Sequence, residues 1–332
     1  MPVNHKFCIA PMMGATDRHY RHFARMLSRH IMLYTEVVNS RSLTAGNYER
    51  LLDQNALDHP IALQLGGYDP EDMAQAAAIG EKHGFDEINI NVGCPSPKAV
   101  ESHFGACLMA EPERVGKCAK AMAERINIPI TVKCRLGIDR GDSLDSLYRL
   151  IDACSPYCRT FMVHARKGWI EGKTNTKQNR SLPPLNYEAV YNLREKYPEL
   201  EFIINGNIES LEAAAGHLRH VDGVMIGRAA YHNVFMLADV DSKFFADEWF
   251  TMTRRQYVES LMPYIEEQVG KGVYLSHFAR HLLGVYYGTR AARGWRRYLA
   301  ENAFGKNASL QVIGEALDYI ENFGKSFSNL DK

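Results

Sequence analysis

Eight short apolar runs, at residues 7–11, 33–37, 61–65, 88–92, 130–134, 160–164, 201–205 and 223–226, alternate with stretches of helical character. Those stretches are 17–28, 69–83, 111–125, one from Ser143, 186–197 and 210–217. Asp17 is placed to cap the first of them, and Asp69-Pro70 to open the second. Such alternation is the pattern of parallel βαβ units, and eight units close into a barrel with no open edge. A doubly wound open sheet competes with it, but no G-x-G-x-x-G follows any run. The expected fold is an α/β, (β/α)8 TIM barrel over residues 1–240. From about Asp241 strand-like runs give way to Leu, Tyr, Ala, Arg and Glu, so 241–332 is expected to form a separate all-helical domain. The length of 332 residues suits that division, because such a barrel takes up about 250 residues.

The fourth run sharpens into Glu87-Ile-Asn-Ile-Asn-Val-Gly-Cys-Pro-Ser-Pro-Lys98. Ile88, Ile90 and Val92 alternate with Asn89 and Asn91, giving a strand with one apolar face. Gly93, Pro95 and Pro97 stop it, which sets Cys94 where strand becomes loop. A small buried thiol filling a gap is the competing reading of Cys94.

In a barrel, chemistry sits at the carboxyl ends of the strands. The runs end in Met12 and Met13, Glu36, Gln64, Asn91 and Cys94, Lys133 and Arg135, His164 and Arg166, Asn205-Gly206-Asn207, and Gly227-Arg228. One polar strand end means little, but seven of eight describe a ring of hydrogen-bonding groups around a pocket. The last two ends supply flexible backbone and a guanidinium, the parts of a phosphate site. Lys133 within a strand needs a partner. It can form a Schiff base, make a structural ion pair, or hold negative charge on a reduced flavin ring.

Lys plus Arg and Asp plus Glu both number 39, so a polyanion must be held by local basic patches. One such patch is the loop 166–184, with Arg166, Lys167, Lys173, Lys177, Arg180 and Trp169. Another is the stripe Arg290, Arg293 and Arg297 with Arg296 beside it. Seven cysteines without a C-x-x-C pair argue for reduced thiols and against a zinc site or disulfide framework. The amino terminus lacks an apolar signal segment and no run reaches membrane-spanning length, so the expected location is the cytoplasm. Neither a metal, a membrane nor an obligate protein partner is expected.

These residues resemble the tRNA-dihydrouridine synthases, FMN enzymes with a barrel and a helical domain. The likeness runs from Ala10-Pro-Met-Met13 to about Tyr298. It is carried by Asn91-Val-Gly-Cys-Pro-Ser96, Gly105-Ala-Cys-Leu-Met109, Val132-Lys-Cys-Arg135, Val163-His-Ala-Arg166, Asn205-Gly-Asn207 and Ile226-Gly-Arg228. Val163 to Trp169 with Asn179-Arg180 and Pro183-Pro184, plus Tyr34-Thr-Glu36 and Leu63-Gln-Leu-Gly-Gly67, is similar to the A-type bacterial subfamily, which reduces D-loop uridines 20 and 20a.

The resemblance implies that Cys94 is the proton donor. It implies FMN contacts from Pro11, Met12, Met13, Gln64, Lys133, His164, Asn205, Gly206, Asn207, Gly227 and Arg228, with NADPH or NADH as reductant. It implies tRNA contacts from Asn91, Arg166, Lys177, Arg180, Arg293 and Arg296. Cys107 is the rival thiol to Cys94 and is read as packing. Two departures stand out: Gly14-Ala15 replaces an acidic-aromatic pair, and Pro97-Lys98 an acidic-basic pair. Proton donation requires a protonated thiol, so no strong positive charge is expected beside Cys94. An FMN barrel acting on a free small molecule such as dihydroorotate would explain the strand ends but not the basic segments. A non-enzymatic RNA-binding protein would leave Cys94 and Lys133 without a role.

Overall fold

The structure, a computed structural model, describes residues 3–46, 51–54, 57–139, 143–170, 178–181, 183–305 and 308–328, with Arg180 and 322–328 by backbone alone. Its strands are β1 (Phe7–Ile9), β2 (Leu33–Tyr34), β3 (Val38–Asn39), β4 (Ile61–Gly66), β5 (Glu87–Asn91), β6 (Ile130–Arg135), β7 (Thr160–His164), β8 (Glu201–Asn205) and β9 (Gly223–Ile226). All pairings are parallel, in the order β1-β9-β8-β7-β6-β5-β4-β2. Ile9 N–H donates to Met32 O and Met32 N–H to Phe7 O, both at 2.9 Å, which joins β1 to the approach of β2 and closes the ring. The fold is the expected TIM barrel, with helical segments following its strands.

The second run differs from its expectation. Instead of one strand over 33–37, it splits into β2 and the two-residue β3, which rejoins β4 at Val38↔Leu65. Between them Thr35 still donates its N–H to Ala62 O, and its Oγ1 accepts from Gln64 N–H at 3.0 Å. A side chain thus takes over where the backbone ladder lapses.

Helices follow the strands much as the sequence predicts. Asp69 caps Pro70–Lys82, accepting from Glu71 N–H and Asp72 N–H, with proline at the first turn where a missing N–H costs nothing. That helix crosses the outer faces of β4 and β5 at Gly80, where a Cβ would stand 2.7 Å from both Ile88 Cδ1 and Leu63 Cδ2. The apolar face of β5 therefore looks outward, against a helix. Its other face, Glu87, Asn89 and Asn91, looks inward and is buried. The rest of the interior is largely apolar, with Cys8, Ala10, Met32, Tyr34, Ala62, Met162, Ile203 and Met225 forming one packed cluster.

The chain divides into two compact units, Met1–Thr16 with Ile31–Gly227, and Asp17–His30 with Arg228–Lys332. This division does not coincide with a single boundary near Asp241, because helix Arg18–Arg25 is built into the second unit. Asp17 caps that helix and also pairs with Arg280 and with His281 at 3.0 Å. Tyr257 donates its hydroxyl to Phe23 O at 2.8 Å. Buried Asp241 accepts from Ser28, from Arg29 N–H at 2.6 Å and from Trp249 Nε1 at 2.5 Å. His30 and Asp247 stand close to it, but its carboxylate already serves as a hydrogen-bond hub. The unit also holds helices Arg254–Gly270, Ser276–Leu282, Ala292–Asn302 and Gln311–Ser328. Among the described residues, no helix is long and apolar enough to cross a membrane.

Candidate active site

The parallel register brings the predicted strand ends of the first unit to one rim. Gln64 pairs with Asn89, Asn91 with Lys133, Arg135 with His164, His164 with Asn205, and Asn205 with Met225. Cys94 stands on the turn after β5. Asn91 Oδ1 accepts from Gly93 N–H at 3.1 Å and Cys94 N–H at 3.0 Å, a side chain folding the backbone back on itself. Arg135 Nε donates to Gly93 O at 2.7 Å, and Ala106 N–H to Cys94 O at 2.9 Å. The turn is held from three directions.

Gly105, with φ +84°, lies against Cys94; a Cβ there would approach Cys94 O to 2.4 Å. Cys94 itself is half-buried, its Sγ 3.3 Å from Ser96 Oγ. Ser96 caps helix Pro97–Glu101 by accepting from Ala99 N–H. This gives the departure at Pro97 a place, since proline occupies the first helical turn. Gly14, the other departure, has φ +74° and donates its N–H to Glu36.

Lys133 is half-buried and donates to Asn205 Oδ1 at 3.2 Å, while Asn205 Nδ2 is anchored on Met225 O at 2.8 Å. No carboxylate pairs with Lys133 among the described residues. Burial, with Arg135 nearby, lowers its pKa to about 8. Burial likewise lowers Arg135 to about 10, and its guanidinium bridges the loops after β5 and β7 through Gly93 O and Lys167 O. Cys94 follows β5, and both cations stand on the adjacent strand β6, where Arg135 bonds Gly93 O and Lys133 pairs with Asn91; the thiol itself bonds Ser96 Oγ.

Other predicted residues take varied positions. Gln64 is buried, donating to Asn89 Oδ1 at 2.7 Å and accepting from Asn91 Nδ2 at 2.9 Å. Gly206 has φ +130°, and a Cβ on it would come 3.0 Å from His164 Cδ2. Asn207 takes the left-handed φ of +52°. A Cβ on Gly227 would meet Met12 Sδ at 3.3 Å. Pro11 and Met12 are half-buried, whereas Met13 is 67% exposed. Arg166 is buried and bonds Ser181 O and Pro183 O, tying down its own loop. Arg180 ends the 3-10 turn Gln178–Arg180, and Lys177 lies outside the described residues.

In the second unit, Arg228 opens helix Arg228–His232. Arg293 and Arg296 are exposed on Ala292–Asn302, which buries Trp295 and Leu299 on its other side. Arg290 precedes that helix, so it is not on its stripe. Cys107 is half-buried and donates to Phe104 O, and burial raises its pKa.

Sequence reasoning named Arg135 without giving it a function and gave Gly105 only a place in a motif. An arginine inside a buried strand was the available signal for the first. Nothing local marks the second, because its contact with Cys94 is made by the fold. The assembled rim offers a thiol on a fixed turn, a desolvated cation near it, and side-chain-free backbone at Gly206 and Gly227. Such a set can give a proton from one side of a bound molecule and stabilise negative charge on another.

The dihydrouridine synthase family model matches residues 8–321. A tRNA-dihydrouridine(20/20a) synthase of Shewanella oneidensis is 45% identical over 320 residues, covering 96% of this chain and 95% of that protein. One from Escherichia coli is 46% identical over 318 residues, covering 95% and 96%. In structure, a 2-naphthoyl-CoA reductase aligns with TM-score 0.54 at 9% identity, over 72% of this chain and 50% of that one, a likeness of fold alone.

Proposed function

The chain belongs to the dihydrouridine synthase family, and from that premise we propose that it reduces the C5–C6 bond of D-loop uridines 20 and 20a in tRNA, with Cys94 as proton donor. The observation that carries this reading is the Cys94 turn, held by Asn91, Arg135 and Ala106 at a barrel strand end beside Lys133. The full-length relatives act on tRNA by name, which favours this reading over one on a free small molecule.

FMN is the cofactor in this reading, reduced by a nicotinamide cofactor, NADPH by preference, and it supplies hydride to C6 of the uracil. The residues present fit it. Lys133 is a desolvated cation with no carboxylate partner among the described residues, suited to negative charge on a flavin ring. At Gly206 and Gly227 a Cβ would crowd His164 and Met12, so the absence of a side chain keeps the backbone of both strand-end loops accessible to a phosphate in this reading. Pro11, Met12, Met13, Gln64, His164, Asn205, Asn207 and Arg228 complete the set assigned to FMN.

The uridine must leave its stack to reach the rim. Cys94 then gives its thiol proton to C5 as general acid, and Ser96 Oγ is positioned to orient Sγ. Asn91, Arg166, Lys177, Arg180, Arg293 and Arg296 are assigned to the tRNA. Seven cysteines, all free, fit a reducing cytoplasm.

The test is Cys94→Ala on unmodified tRNA transcript, with nucleoside mass spectrometry as readout. The variant should keep yellow FMN and lose dihydrouridine formation by at least about 100-fold. Full turnover by the variant would remove Cys94 from the chemistry. Wild-type activity on free uridine or dihydroorotate in preference to tRNA would remove the substrate.

A further inference from the structure

A polar line runs down the inside of the barrel from the Cys94 turn to the opposite end. Gly93 and Cys94 N–H donate to Asn91 Oδ1 at 3.1 and 3.0 Å. Asn91 Nδ2 donates to Gln64 Oε1 at 2.9 Å, and Gln64 Nε2 to Asn89 Oδ1 at 2.7 Å. Asn89 Nδ2 donates to Thr131 Oγ1 at 2.8 Å, and Thr131 Oγ1 to Glu87 Oε1 at 2.6 Å. The other Glu87 oxygen lies 2.5 Å from His5 Nε2, with Glu201 on the far side of the imidazole at 3.4 Å. Glu87, Asn89 and Asn91 are alternate residues of β5, so the line covers about 13 Å.

Every donor in this line points the same way, toward the Glu87 carboxylate. A carboxylate only accepts, so Thr131 must donate to it and keep a lone pair for Asn89. Asn89 then turns its oxygen to Gln64, and Gln64 its oxygen to Asn91. At the end of the sequence Asn91 presents its oxygen, not its NH2, to the backbone of Gly93 and Cys94. With the amides reversed, donor would face donor at the turn and both N–H groups would lose their partner. Hydrogen bonds in a dry interior polarise one another, so the ends are coupled.

We propose that Glu87, at the end of the barrel remote from the chemistry, is a positioning residue for Cys94 and Asn91, acting through Thr131, Asn89 and Gln64. The proposal rests on the assignment of Cys94 as proton donor. It makes the buried carboxylate a device for specifying one arrangement of the site rather than a source of stability.

Thr131→Val removes the one hydroxyl in the line while keeping a branched side chain of the same shape, and Thr131→Ser restores the hydroxyl. Two rates are compared on the FMN-loaded protein: reduction of the flavin by NADPH, and its reoxidation by unmodified tRNA. Thr131→Val should slow the tRNA step about tenfold to 100-fold, slow the NADPH step by a clearly smaller factor because the line reaches the flavin set only through Gln64, and be rescued by Thr131→Ser. A wild-type tRNA step in Thr131→Val, or equal loss in both steps, overturns the proposal.

Amide hydrogen exchange gives a readout that needs neither substrate nor activity. Peptides containing Gly93 and Cys94 should exchange about tenfold faster in Thr131→Val, with no change in the amides of β8 and β9. Uniform acceleration, or none at the turn, contradicts the proposal even if wild-type protein fails to use tRNA. If the valine variant does not fold, Glu87→Gln, whose amide no longer fixes the direction of the line, should show the same local acceleration.

Discussion

Replacing Gly105 by alanine tests whether the placement of Cys94 by its neighbours is what the activity depends on. Two effects act together. Gly105 has φ +84°, a conformation that costs a residue with a Cβ about 1–2 kcal/mol. The new methyl would also stand 2.4 Å from Cys94 O, where contacts under 3.0 Å essentially do not occur, so one group must move by at least 0.6 Å. The obstacle is backbone and not the end of a flexible side chain. It is the same carbonyl that accepts from Ala106 N–H, so relief of the clash strains that bond.

A displacement approaching 1 Å at a reacting group costs roughly 100-fold in rate. The expected result is a loss of about 10–100-fold in dihydrouridine formation and about 2–3 kcal/mol in stability, with FMN retained because Gly105 is not among its assigned contacts. Stopped-flow reoxidation of the reduced enzyme by tRNA measures the first, thermal unfolding the second, and flavin absorbance the third. Wild-type reoxidation together with an unchanged melting temperature would refute the reasoning. Loss of FMN from a folded variant would show that the turn and the cofactor site are not separable in the way described.

Lys133→Met should make the FMN-free protein as stable or up to about 3 kcal/mol more stable, because burial already disfavours the ammonium. Activity should fall by at least about 100-fold, and a variant that loses stability instead would mean the cation is structural. Arg293→Glu combined with Arg296→Glu should weaken tRNA binding and lower the salt slope by about 2, measured by filter binding across salt concentrations; unchanged affinity takes this helix out of the interface. A pH series on wild type against His5→Gln tests the far end of the polar line. Burial alone would lower the His5 pKa, but Glu201 and Glu87 outweigh it and raise it to about 9. Tyr34 and Cys8, close to Glu87, are pushed upward by burial and stay neutral over this range. Because the folded value lies above the unfolded one, the stabilisation is complete below pH about 6.5 and lost as pH rises through about 9. The wild-type advantage should reach at most about 3 kcal/mol near pH 6 and shrink through pH 9; an advantage constant with pH would show that His5 acts by packing alone.

Much of this protein is decided by local rules. Alternation of period-two runs with helical stretches determined the barrel, since each pattern can bury its apolar residues in only one kind of element. Asp17, Asp69 and Ser96 act as caps for reasons confined to a few residues of chain. The strand-end residues also followed from sequence, because a parallel barrel puts every carboxyl end on one rim.

Other features belong to the tertiary structure. A two-residue period shows that Ile88 and Ile90 share a face, but not that this face packs on a helix while Glu87, Asn89 and Asn91 line the interior. Register between β5 and β6, set by the closed ring, brought Lys133 and Arg135 to the Cys94 turn. Ion pairs and hydrogen bonds more than 200 positions apart joined Asp17–His30 to the second unit, and separation of that order leaves no trace in local pattern. Sequence specifies which groups each element carries; closure of the sheet specifies which of them meet.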